Sequence, residues 1–113
     1  RRTIMSGQPD VWWDWHASDA AIAALRRVAA AVDAEQRQRS RAATELLADW
    51  RGPRQDEWAL RQAALQITAV QLRDRCLQAA QAIAQASERA RAEQARINRE
   101  RAALQQVASY GGQ

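Results

Sequence analysis

Lysine and phenylalanine do not occur in this sequence, and glycine (four), proline (two), cysteine (one) and histidine (one) are scarce. The glycines stand at 7, 52, 111 and 112 and the prolines at 9 and 53, so the stretch from Asp10 to Tyr110 has a single break, Gly52-Pro53. Most β architectures need turn residues every ~8–12 positions and are thereby ruled out. Cys76 alone allows no disulfide within the chain. It falls in a helical apolar row, where a small buried hydrophobe is a plainer reading than a reactive thiol. His16 and Cys76 together cannot close a zinc site within one chain, and no glycine-rich loop is available to cradle a phosphate. No catalytic set assembles around either residue, so the chain is expected to be no enzyme and to need no metal or cofactor. No run approaches the ~18 apolar residues of a membrane span, so membrane insertion is not expected. The opening Arg1-Arg2-Thr3-Ile4-Met5 carries charge without an apolar core and does not form a general secretory signal.

The residues that are abundant favour helix. Of the 113 residues, 27 are alanine, 17 arginine and five tryptophan. Alanine and arginine are strong helix formers. With 47% hydrophobic residues the chain also carries too much apolar surface for a disordered tail. A net charge of +4 and a pI near 10.9 raise the question of nucleic acid. However, 13 acids are interleaved with the arginines. Asp33/Arg37, Glu35/Arg39 and Glu57/Arg61 stand at i,i+4 with the acid first, a spacing that suits ion pairs along a solvated helix face. The densest basic run, Arg37-Gln38-Arg39-Ser40-Arg41, has no interleaved aromatic for base stacking. A salt-laced solvent face is therefore preferred to nucleic-acid binding, which remains an alternative carried by Arg37, Arg39 and Arg41.

From Ala17 to Trp50 the positions Ile22, Leu25, Ala29, Val32, Ala43, Leu46 and Trp50 form one helical stripe, interrupted by a polar seam over 35–41. Val28 and Leu47 fall off it. After the break, Arg54 to Ala108 reads as helix, with a seam through Trp58, Leu65 and Leu72 beside Gln62, Ala69, Cys76, Ile83, Ala90, Ile97 and Leu104. A second stripe runs through Leu60, Ile67, Val70 and Leu77. Gly52 suits a left-handed position at a helix C-terminus and Pro53 the first turn of the next helix, whose N-terminal dipole Asp56 and Glu57 complement. A link this short forces antiparallel neighbours. The expected fold is all-α, a two-helix hairpin over 17–108 with helices 17–50 and 54–108 joined by a turn at 51–53. A Trp-rich segment, 1–16, precedes it and a flexible tail, 109–113, follows.

Folding at Gly52 brings together positions whose numbers sum to about 104, because both helices rise equally per residue. Trp12, Trp13 and Trp15 then stand level with Gln85 to Arg89, where alanines leave room for rings, and are expected to cap the open end. The second helix outruns the first by roughly 20 residues, which either project as a polar arm or fold back near Ser87. A lone hairpin buries little surface. The second stripe therefore implies a four-helix bundle with a similar hairpin, as homodimer or heterodimer, through Trp58, Leu60, Leu65, Ile67, Val70, Leu72 and Leu77.

Trp50-Arg51-Gly52 puts a Trp-x-Gly tripeptide at the sole break between two long helices in a chain of 113 residues. In this the chain resembles the WXG family of small type VII secretion proteins, the early-secreted-antigen-like hairpins of actinobacteria and their relatives. Trp58, eight residues after Trp50, stands where members of that family tend to carry an aromatic. The resemblance spans roughly residues 17 to 90 and implies a binding role. Such hairpins pair into antiparallel four-helix bundles and leave the cell folded through a membrane-bound secretion ATPase. It further implies that the turn at Trp50 and Gly52 forms half of a composite export signal, completed by a Tyr-x-x-x-acid motif on a partner's tail. Tyr110 is followed by Gly111, Gly112 and Gln113 with no acid, so either the tail is cut or the chain supplies the turn alone. The protein would be cytoplasmic before export and secreted or at the cell surface afterwards, by a route independent of a signal peptide. The alternatives are the N-terminal targeting module of a longer secreted effector and a basic hairpin that binds nucleic acid.

Overall fold

The computed structural model of the chain describes residues 9–111, in which two α-helices form an antiparallel hairpin: α1, Trp15–Asp49, and α2, Pro53–Gly111. No strand occurs among the described residues. The rod measures 92 × 20 × 16 Å. Its length is that of α2 alone, since 59 residues rise roughly 88 Å. Residues 1–8 of the expected Trp-rich segment and 112–113 of the expected tail lie outside the described residues.

Local chemistry sets the helix ends. α1 begins two residues before the expected Ala17 because Asp14 caps it. The Asp14 carboxylate accepts from the Ala17 N–H at 2.9 Å, and its carbonyl accepts from the Ser18 N–H at 3.0 Å. At the other end Trp50 leaves helical geometry, with φ −97 and ψ 127. The Arg51 guanidinium donates to the carbonyls of Leu47 (3.1 Å) and Trp50 (3.2 Å), satisfying groups that a helix terminus leaves open. Gly52 has φ +126, and a Cβ built there would meet nothing within 4 Å. Backbone conformation, not space, therefore selects glycine. Its carbonyl accepts from the Gln55 N–H at 3.1 Å, so Gly52 opens α2 while Arg51 closes α1. Residues 109–111, expected as flexible tail, continue the helix, because nothing between Ala102 and Tyr110 breaks it.

Across the hairpin Asp33 faces Arg73 and Trp13 faces Ser87, pairs whose numbers sum to 106 and 100 and so bracket the expected register. The inner seam of α2 steps by seven along two rows. One holds Ala69, Cys76, Ile83, Ala90 and Ile97, and the other Arg73, Ala80, Ser87 and Gln94; every one of these is half-buried or buried. Four expected core positions are displaced. Leu46 is exposed and Leu47 takes its place, because a straight helix drifts ~20° per heptad and hands the inner position to the next residue beyond the polar seam. Leu65 and Leu72 lie exposed at the flank, since the row one residue later, at Arg73 and Ala80, occupies the inside. Leu104 is exposed as well.

α2 does not break near Ser87. The residues before α1 run alongside the overhang instead, and the five buried residues among those described, Ala29, Ala80, Ser87, Ala90 and Ile97, all lie in this open half of the hairpin. Trp13 and Trp15 are half-buried there. Trp12, expected in the same cap, is 87% exposed, because neighbouring positions in an extended segment face opposite ways.

Candidate association surface

The turn is built from three of the expected residues. Trp50 and Trp58 meet with ring centroids 6.0 Å apart and planes tilted by 55°, a favourable edge-inclined arrangement, and both are half-buried. Trp58 thus belongs to the turn. Trp50-Arg51-Gly52 is held from behind by this ring pair and from the side by the Arg51 hydrogen bonds.

The other members of the expected association face do not form a single surface. Leu65 and Leu72 border a groove between the helices on one side, together with Val28 and Val32, enclosing about 360 Å³. Leu60 and Ile67, 72% and 60% exposed, lie on the side of α2 turned away from α1. Val70 and Leu77 continue that row toward the opposite groove, and Ile67 and Val70 share a shallow depression with Ala63. The split follows from helix geometry. Residues seven apart nearly superpose, so 58, 65 and 72 share one line, whereas 60 and 67 sit about half a turn round. Leu60, Ile67, Val70 and Leu77 remain as one uncovered apolar strip.

Electrostatics redistributes the charge that the sequence suggested. Of the three anticipated i,i+4 pairs only Glu35–Arg39 forms, at 2.9 Å. Asp33 turns across the hairpin to Arg73 (3.3 Å), which also holds Asp74 (2.9 Å). These two carboxylates push the Arg73 pKa up, the hydrogen bond to Asp74 contributing most. Arg37 is left exposed without an acid partner and Arg39 is engaged, so the Arg37-Arg39-Arg41 run is divided. Farther along α2, Arg96 bridges Glu93 and Glu100 and holds the Glu93 carboxyl below its usual range.

A further set of residues, with little signature in the sequence, straps residues 9–14 onto α2. The Val11 N–H donates to Gln94 Oε1 at 2.8 Å and the Trp13 indole N–H to Ser87 Oγ at 3.0 Å. Asp10 accepts from the Gln94 amide at 3.0 Å and from Arg101 at 2.7 Å. The Gln94 hydrogen bond, and then Arg101, hold the Asp10 carboxyl below the ordinary aspartate range. The only sequence signal for this arrangement was the level match of Trp13 with the alanines near Ser87.

Cys76 is free and half-buried on the inner seam, and His16 is exposed on the first turn of α1. Among the described residues no three His, Cys, Asp or Glu side chains gather as metal ligands, and no helix is long and apolar enough to cross a membrane. The chain matches no protein-family model, no curated protein and no solved structure.

Proposed function

We propose that this chain is an association module, a helical hairpin that works by pairing with a second hairpin through the outer face of α2. The observation that carries this reading is the strip Leu60, Ile67, Val70 and Leu77, which stays uncovered after α2 has used its inner seam against α1. Four large aliphatic residues along roughly 26 Å of one helix are more than the scattered apolar residues of an ordinary surface. A hairpin whose buried residues are mostly small gains most from covering such a strip.

The turn gives the module a second element. Its Trp-x-Gly tripeptide, held by the Trp50–Trp58 pair, supports a role like that of the small WXG type VII secretion proteins. In that role the paired hairpins are made in the cytoplasm, recognised by a secretion ATPase and exported folded. Catalysis has no part in this reading. The same surfaces serve equally in the targeting module of a longer secreted effector.

Sedimentation velocity over a range of concentrations tests the pairing, with the chain alone and mixed with hairpin proteins from adjacent reading frames. Association is expected, and Ile67→Asp with Val70→Asp should abolish it while far-UV circular dichroism stays helical. A wild-type chain that remains monomeric in every mixture would sink the proposal.

A further inference from the structure

We infer that the partner of this hairpin presents an acidic helix, received in the open groove that Arg26 and Arg89 flank. The inference rests on the association reading and names the chemistry of the partner. The groove has a volume of about 730 Å³ and lies where α1 and α2 meet, over Leu77, Ala80 and Ala84. Leu77 also belongs to the uncovered strip, so strip and groove are one continuous surface.

Its floor and its rim ask for different things. Ala80, 1% exposed, and Ala84 keep the floor low, so a large apolar side chain of a partner helix can approach closely. At the rim, Arg26 and Arg89 take part in no hydrogen bond or ion pair within the described residues, whereas the one acid there, Glu88, is held by Arg91 at 3.0 Å. Beside the strip, Asp74 is likewise held by Arg73 at 2.9 Å. Glu88 and Asp74 are thus neutralised from within the chain, while Arg26 and Arg89 are left open.

A helix laid over the groove with its apolar stripe toward Leu77 and Ala84 brings its two flanking rows over Arg26 and Arg89. Carboxylates on those rows satisfy the guanidiniums, which accept them in paired, planar geometry. A second copy of this chain suits the groove poorly. It brings 17 arginines against 13 acids, a net charge of +4 facing another +4, and like charge across an interface disfavours pairing. The structure therefore favours an unlike, acidic partner over a homodimer.

Two synthetic helices test this on the full chain by fluorescence anisotropy. Both carry the same leucine heptad seam, one with glutamate and the other with lysine on the flanking rows. The glutamate helix is expected to bind, and the lysine helix about tenfold more weakly or worse. The double variant Arg26→Glu with Arg89→Glu, checked for retained helicity, should invert that order. Equal affinity for the two helices, or a preference unmoved by the charge reversal, would overturn the inference. So would a homodimer that excludes both peptides, although the association reading would then survive. A chain that stays monomeric and binds neither helix loses both.

Discussion

In the open half of the hairpin, residues 9–33 against 73–101, Ala29, Ala80, Ser87, Ala90 and Ile97 are buried. The turn half, residues 34–72, contains no buried residue, yet it holds Leu46, Leu60, Leu65, Ile67, Val70 and Leu72, all exposed. Most of the exposed aliphatic side chains thus sit where burial is least. Small residues let α1 and α2 approach closely, and the Trp13 and Trp15 rings then fill the space between the strap and α2. In the turn half the half-buried seam mixes Gln36, Arg39 and Gln62 with Ala43, Leu47 and Ala69, and the other aliphatic residues face outward. One half is closed along its inner seam by its own chain, and the other leaves its aliphatic residues exposed.

Breaking the closed half should have the largest effect. Trp13→Ala removes a half-buried ring and its hydrogen bond to Ser87, and should cost about 2–3 kcal/mol. Thermal unfolding should then fall by on the order of 10 °C. Leu60→Ala, at a position 72% exposed, should leave the melting temperature of the monomeric hairpin within a few degrees. If the two variants melted alike, the contrast between the halves would be lost.

A smaller effect is expected from improving the weak half. Gln36 lies on the inner seam, where its Oε1 is buried without a partner and its amide reaches only Ser40, at 3.4 Å. Gln36→Leu should stabilise the hairpin by about 1 kcal/mol, read as a higher denaturant midpoint at unchanged slope. A lower midpoint would show that the polar seam serves packing after all.

The smallest expected effect is a pH response confined to the strap. Asp10 is depressed in the folded state by Gln94 and Arg101, so its contribution is fully present above the ordinary aspartate range and is lost as pH falls through the lowered value. The Trp13 indole N–H resonance should hold its position from neutral pH down into that range and move only at stronger acid. In Asp10→Asn the resonance should be insensitive to acid. Movement at neutral pH, or an unchanged acid response in the variant, would remove Asp10 from the latch.

Much of the fold was legible in the sequence because its signals are local. One Gly-Pro break in an alanine-rich chain permits a helical hairpin and little else, and the register follows from equal rise on both sides of the bend. The turn was legible in part. Trp50, Gly52 and Trp58 were identified, but the pairing of the two rings and the capping by Arg51 depend on the angle at which the chain re-enters α2. Which row of α2 faces α1 was not legible, because a stripe read along a sequence does not reveal which of two rows, one residue apart, turns inward. Leu65 and Leu72 lost that position to Arg73 and Ala80, where alanine packs closer and arginine reaches Asp33.

Composition and spacing alone determined that the fold is all-α, bends once at Gly52 and carries more apolar rows than one hairpin uses. Helix propensity, glycine and proline act within a few residues, so no tertiary contact was needed to read them. Tertiary structure decided the strap from Asp10 to Trp13, the diversion of Asp33 from Arg37 to Arg73, and the groove between Arg26 and Arg89. Each joins residues about 40 or more positions apart, and side chains that far apart in sequence meet only when close packing fixes the rotation of one helix against the other.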